Sequence, residues 1–263
     1  MTPADELAAS TGMGLAKLAW TSLWAASGKM KLLFGGVMVF SMIVAAIFSY
    51  ASGELTRSRD PVQGMVALLL TLPQIFLLAI IVAPAMIALH RFILLDRATS
   101  SAALMKESYE RSFILWFLGF NLLLIFAGAL VGLVDALWPG SAIPSIAIVL
   151  AGAAGAIRLV LIFPAIATEV PSAGWRDRIE ASWDQMRGRF WLFVRGYILI
   201  ALPIGLVFAP LEVALKFLGT AKFDDSGATS LGVNVLDAFA QNVLVLLTAA
   251  LASWLYAGIR RAN

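Results

Sequence analysis

Residues 155–191 read GAIRLVLIFPAIATEVPSAGWRDRIEASWDQMRGRFW. An apolar run interrupted by one arginine, Arg158, reaches Pro164, passes Glu169 and Pro171, and turns into a charged pattern that closes on aromatics. In its second half Trp175, Ile179, Trp183, Met186 and Phe190 recur at helical spacing. Arg176, Asp177, Arg178, Glu180, Asp184, Arg187 and Arg189 occupy the remaining circumference. A charged helix with an apolar stripe lies in the plane of a bilayer surface. The stretch therefore reads as a membrane span that becomes an interfacial helix, and the fold class follows: an all-α, polytopic membrane protein.

Working outward, composition agrees. Of 263 residues, 61% are hydrophobic and 13% charged, with mean hydropathy +0.90, whereas soluble domains carry about a quarter charged residues. A helix needs about 20 predominantly apolar residues to cross hydrocarbon. Six runs qualify, at about 32–50, 66–89, 113–133, 145–168, 190–211 and 231–256. They predict one transmembrane domain over 1–263 and no soluble domain. Asp5 and Glu6 precede any long apolar run, so the first span is expected to remain as an anchor rather than be cleaved as a signal peptide. With no cysteine, disulfides, thiolate metal sites and a cysteine nucleophile are excluded.

Between the spans, Gly14–Ser27 reads as a further surface helix with a poorly defined apolar face, and the segment from Leu104 to Phe113 as another. Pro73 and Pro84 in the second span and Pro203 and Pro210 in the fifth predict kinks. Gly35, Gly36, Gly128, Gly132 and the small residues Ala151, Gly152, Gly155 and Ala156 predict close helix packing.

Basic residues set the orientation. Lys17, Lys29, Lys31, Arg91, Arg97, Lys106, Arg111, Arg176, Arg178, Arg187, Arg189, Arg260 and Arg261 fall on one side; Arg57, Arg59, Lys216 and Lys222 fall on the other. By the positive-inside rule both termini are expected to be cytoplasmic. The sequence pI of about 9.4 then needs no nucleic-acid partner.

IVAPAMIA (Ile81–Ala88) and LIFPAIAT (Leu161–Thr168) set two Pro-Ala pairs 80 residues apart. A threefold repeat of helix pairs follows, with units at 11–90, 101–169 and 174–261. The third unit fits least, having no Pro-Ala pair in its returning span.

Arg158 followed by LVLIFPAIATE, the helix ending SWDQMRGRFW (Ser182–Trp191) and the close WLYAGIRR (Trp254–Arg261) together resemble a known pattern. They are similar to the six-span membrane domain of glycerophosphoryl diester phosphodiesterases and to its free-standing bacterial relatives, a resemblance that implies a place in the bacterial inner membrane. The resemblance implies architecture only. In the anchored enzymes the activity belongs to a separate soluble barrel, so phosphodiesterase activity is not carried over.

Candidate chemistry centres on Arg158, roughly 15 Å from the cytoplasmic end of its span at about 1.5 Å per residue. An arginine at that depth needs a partner or a wet cavity. Asn121 is expected at similar depth, Arg195 nearer the cytoplasm, and Glu169 at the mouth. Converging, they would hold an anionic headgroup or another phosphate-bearing ligand; alternatively Asn121, backbone carbonyls and water satisfy Arg158, which then only fixes helix packing. His90 reads as an interfacial side chain, and Asp135, Glu212 and Asp237 as carboxylates facing water at the outer boundary.

No Ser-His-Asp set, Walker motif or metal-ligand spacing is found, so no catalytic residue, metal or cofactor is assigned. The reading reached is a non-catalytic inner-membrane protein acting through lipids, anionic ones among them, or through membrane-protein partners in envelope maintenance. The alternative is a small-molecule or lipid transporter built around a cavity at Arg158.

Overall fold

In hydrocarbon a chain has no water to bond its backbone, and the helix pairs each N–H and C=O within its own segment. The computed structural model obeys that rule. It describes residues 11–56, 61–98, 109–138, 142–168, 174–220 and 231–262. In order these form α1 (Gly12–Lys29), α2 (Lys31–Thr56), α3 (Pro61–Leu95), α4 (Tyr109–Leu137), α5 (Ala142–Leu159), α6 (Ile162–Thr168), α7 (Trp175–Gln185), α8 (Phe190–Thr220) and α9 (Leu231–Ala262). Among the described residues there is no strand, and six segments are long and apolar enough to cross a membrane. They are Lys31–Phe48, Leu72–Leu95, Arg111–Val134, Ala142–Thr168, Phe190–Leu215 and Gly232–Arg261. The chain is a polytopic, all-α membrane protein.

The centre of the bundle is α9 with the second half of α3 and the short α6. Leu246, Leu247, Ala250, Leu251 and Ala252 of α9 are fully buried, as are Ala85, Ala88 and Leu89 of α3. Helix α9 touches α1, α2, α3, α6 and α8. Large apolar side chains on α2, α4, α5 and α8, among them Phe40, Phe126, Leu150 and Leu206, stay exposed on the outside of the bundle. In a membrane protein that is the lipid-facing surface.

Two sequence expectations change here. Helix α1, read as a surface helix, starts as expected with Thr11 Oγ1 accepting the Gly14 N–H at 3.0 Å. It then buries Leu15, Ala19, Leu23 and Ala26 against α8 and α9, so it is part of the core. The glycines also redistribute. A Cβ on Gly35, Gly36, Gly128, Gly132 or Gly155 would meet nothing within 4 Å, so these do not mark close approaches; Gly152 makes an ordinary contact with Ala127. The tight contacts are at Gly12 against Arg195 and Gly196 against Leu251, where an added Cβ would come within 2.8 Å.

Prolines divide into two kinds. Pro73 and Pro84 lie inside a continuous 35-residue α3, and Pro203 and Pro210 inside a continuous 31-residue α8. Pro164, by contrast, coincides with an interruption of the fourth span at Val160–Leu161. Proline has no N–H for the carbonyl four residues back and its ring crowds it; that carbonyl is Val160's, and Phe163 N–H takes it instead at 3.4 Å.

Candidate functional site

Because α5 stops at Leu159, Arg158 lies in its last turn rather than midway along an unbroken span. Its carbonyl accepts a hydrogen bond from Ser182 Oγ of α7 at 2.6 Å. Its guanidinium sits over the Trp183 ring, 4.3 Å from the centroid, a cation–π contact. Two consecutive residues of α7 thus clasp one residue of α5, one by backbone and one by side chain. Ser182 and Met186 are buried, at 2% and 1% exposure.

The other residues expected beside Arg158 are placed elsewhere. Asn121 donates to the Phe117 carbonyl of its own helix at 2.7 Å, whereas the Arg158 side chain meets Trp183. Arg195 is exposed on α8, its Cβ against Gly12 at the start of α1. Glu169 lies outside the described residues, as does the first half of the expected surface helix from Leu104, whose second half, from Tyr109, is the start of α4. Of the carboxylates expected at the outer boundary, Asp237 accepts Gln241 Nε2 of its own helix at 2.7 Å.

Helix α7, expected to be interfacial, is shorter than its aromatic stripe implied. Asp177 accepts the Gly174 N–H at 3.1 Å and opens α7. The helix closes at Gln185, and Gly188, at φ +82, makes the turn into α8 in a conformation that glycine adopts freely. The stripe therefore splits. Met186 enters the core, Ile179 packs partly against it, Trp175 and Trp183 remain exposed, and Phe190 belongs to α8. On the charged side Arg187 and Asp184 pair at 3.8 Å, both well exposed.

Sequence reasoning misplaced His90. It is fully buried, its Nδ1 2.6 Å from Ser253 Oγ of α9 and its ring 5.9 Å from that of Phe113. Ser253 Oγ donates to the Ala249 carbonyl at 2.9 Å. Its one proton is then used, which makes Nδ1 the donor of the pair and leaves His90 Nε2 as a bare lone pair without a partner. The next residue, Arg91, donates from Nε to the Ala167 carbonyl at the C-terminal end of α6 at 2.9 Å, where a cation suits the helix dipole. A third link joins buried Asn242 of α9 to Ser41 of α2 at 2.7 Å. The available signal for depth was the apolar tetrad Phe92–Leu95, which follows His90 and Arg91 and carries α3 past them.

Ser253→Ala should lower stability by about 1–3 kcal/mol, since it leaves the Nδ1 proton of His90 buried and unpaired. His90→Leu/Ser253→Ala, which removes both partners, should recover most of that loss. Thermal unfolding of the two variants in detergent checks this, and equal losses would show that the pair is not the source.

At the ends of α3 and α9 an open groove of about 560 Å³ forms against α1. Phe92, Leu95 and Trp254 wall it, with Asp96, Arg260 and Arg261 at the rim. Trp254 Nε1 donates to Ser22 Oγ of α1 at 2.9 Å, fixing the indole with 9% exposure. The Lys29 ammonium lies 4.9 Å from the centre of the Phe92 ring. Asp96 takes φ 51, a left-handed conformation that aspartate tolerates at a helix end. Among the described residues no three His, Cys, Asp or Glu side chains gather to hold a metal ion. No family model matches this chain, and no curated protein or solved structure is significantly similar to it.

Proposed function

We propose that this is a bacterial inner-membrane protein, with both termini cytoplasmic, that performs no reaction of its own and maintains the envelope through contacts with anionic lipids and with partner proteins. It would stand with the six-span phosphodiesterase-type membrane domains that its sequence resembles. One observation carries the reading: Trp20, Trp24, Trp175, Trp183 and Trp191 are all exposed. They sit on α1, on α7 and at the start of α8, the segments that lead into the first and fifth spans. With six crossings, odd spans start on one side, the side that also holds most of the lysine and arginine. Exposed tryptophan together with excess cationic charge is the composition of a cytoplasmic membrane rim. In this reading Arg158 fixes α7 to the bundle, and α7 presents Trp175 and Trp183 to the headgroups.

The test is the melting temperature in nanodiscs of phosphatidylcholine with and without phosphatidylglycerol. The wild type is expected to melt higher with the anionic lipid, and Arg158→Gln/Arg195→Gln to gain less from it. A wild type indifferent to the lipid would overturn the proposal.

A further inference from the structure

We propose that the outer half of the bundle holds a water-filled cleft between α9 and the α4–α5 hairpin, open on the face opposite the termini and closed beneath by α6; it does not depend on the lipid-contact reading above. Along α9, Asp237, Gln241, Thr248, Ala252, Leu255 and Ile259 follow one another at intervals of three, four or seven residues and so share one face. The cytoplasmic half of that face is buried, with Ala252, Leu255 and Ile259 at 5% exposure or less. Its outer half is not: Gln241 is exposed, and Asp237 and Thr248 are partly so. Helix α4 shows the same change. Phe113, Phe117 and Phe120 meet Phe163 of α6, whereas Leu124, next along that face, is 42% exposed, and a Cβ on Gly128 would meet nothing within 4 Å. Both α4 and α9 pack against α6, yet α9 has no extensive contact with α4 or α5. The break at Val160–Leu161 accounts for this, since α6 stays on α9 while α5 leaves it.

Two contacts give the depth. Asn242, beside Gln241, bonds Ser41 of α2, and Ser41 lies ten residues past Lys31, about 15 Å at about 1.5 Å per residue. Gly196, which adjoins Arg195, meets Leu251, and Leu251 lies ten residues from Gln241. Both measures set Gln241 about 15 Å from a cationic rim, halfway across a hydrocarbon core of about 30 Å. There Gln241 Nε2 donates to Asp237 Oδ2, the one bond these two side chains make among the described residues. It leaves the second amide hydrogen, the amide carbonyl and most of the carboxylate lone pairs to be met. Acyl chains offer nothing to meet them, and unmet polar groups at that depth are costly. Water is the occupant that the pair selects. The space is bounded on both sides by this chain, which leaves no broad face for a second copy. It is an entry and not a pore, because the face below Thr248 is buried.

The chain has no cysteine, so single cysteines report on the cleft directly. An impermeant, trimethylammonium-bearing methanethiosulfonate is applied to right-side-out and to inverted membrane vesicles holding each variant. Gln241→Cys and Leu124→Cys, one on each wall, should react at least about tenfold faster than Phe126→Cys and Leu206→Cys, because a thiol among acyl chains stays protonated and only the thiolate attacks. Phe126 and Leu206 are the more exposed on the protein, at 67% and 68%, and Phe126 lies on the far side of α4 from Leu124, so exposure alone would give the reverse order. Gln241→Cys as slow as Leu206→Cys overturns the cleft, and so does Phe126→Cys as fast as Leu124→Cys. Oxidation of Gln241→Cys by copper phenanthroline to a disulfide-linked dimer overturns it in favour of an interface between copies. Gly232→Cys, at the outer start of α9, marks the side of entry. Gln241→Cys should react from that side alone, and reaction from the other side overturns the closure by α6. If the side of entry proves cytoplasmic, the orientation proposed above falls and the cleft stands.

Discussion

Phe163→Ala is expected to destabilise the bundle by about 3 kcal/mol, near the low end for truncating a buried phenylalanine. The low end applies because the side chain leaves a bundle surrounded by lipid, so part of the usual transfer term is missing and lost packing remains. Phe163 is 5% exposed. Its ring meets three others on a single face of α4: Phe113 at 5.3 Å, Phe117 at 6.1 Å and Phe120 at 5.7 Å between centroids. Alanine leaves a cavity that these three rings, four and three residues apart on one helix, cannot close. Denaturation by sodium dodecyl sulfate in mixed micelles measures the loss, with Phe163→Leu as a milder control expected to cost under about 1.5 kcal/mol. A Phe163→Ala protein as stable as wild type would mean that α6 is not seated against α4.

Gly196→Val should cost a similar amount, about 3 kcal/mol, by the opposite mechanism of overpacking. A Cβ at this position would lie 2.8 Å from Leu251 Cδ1 and 3.4 Å from its Cδ2. Leu251 is fully buried in α9, so its side chain has nowhere to withdraw. Either α8 moves off α9 or the leucine adopts a strained rotamer. Leu251→Ala creates the missing space, so Gly196→Val in that background should be milder than in wild type, with a coupling of about 1–2 kcal/mol in a double-mutant cycle. Additive losses would show that Gly196 and Leu251 do not meet.

Much of this architecture was legible because length and hydropathy are strong signals when the solvent is lipid. The six runs read from sequence all reappear as candidate spans, and the fifth begins at Phe190 as expected. Depth and partners were harder to read. Hydropathy does not separate a lipid-facing helix from a buried one, since leucine suits both, and so α1 passed for a surface helix although it packs on α8 and α9. His90 beside Arg91 looked like a membrane boundary because charge normally marks one. In fact Arg91 bonds the end of α6 and His90 meets Ser253, contacts across separations of 76 and 163 residues that no local pattern carries. Arg158 was expected well inside an unbroken span, but it lies in the last turn of α5. Its partner is Trp183, on a segment that follows the helix break at Pro164; proline alone does not announce that break, since Pro73, Pro84, Pro203 and Pro210 lie inside continuous helices.

The central place of α9 bears on how the chain is made. Ribosomes deliver helices in order, so α1, α2, α3 and α6 emerge before the surface they will share. Until α9 inserts, Ser22, Ser41 and His90 lack the side chains they bond in the finished bundle. Maturation therefore waits for α9, and a polypeptide stalled before residue 231 would sit in the bilayer as loosely joined hairpins, open to membrane proteases.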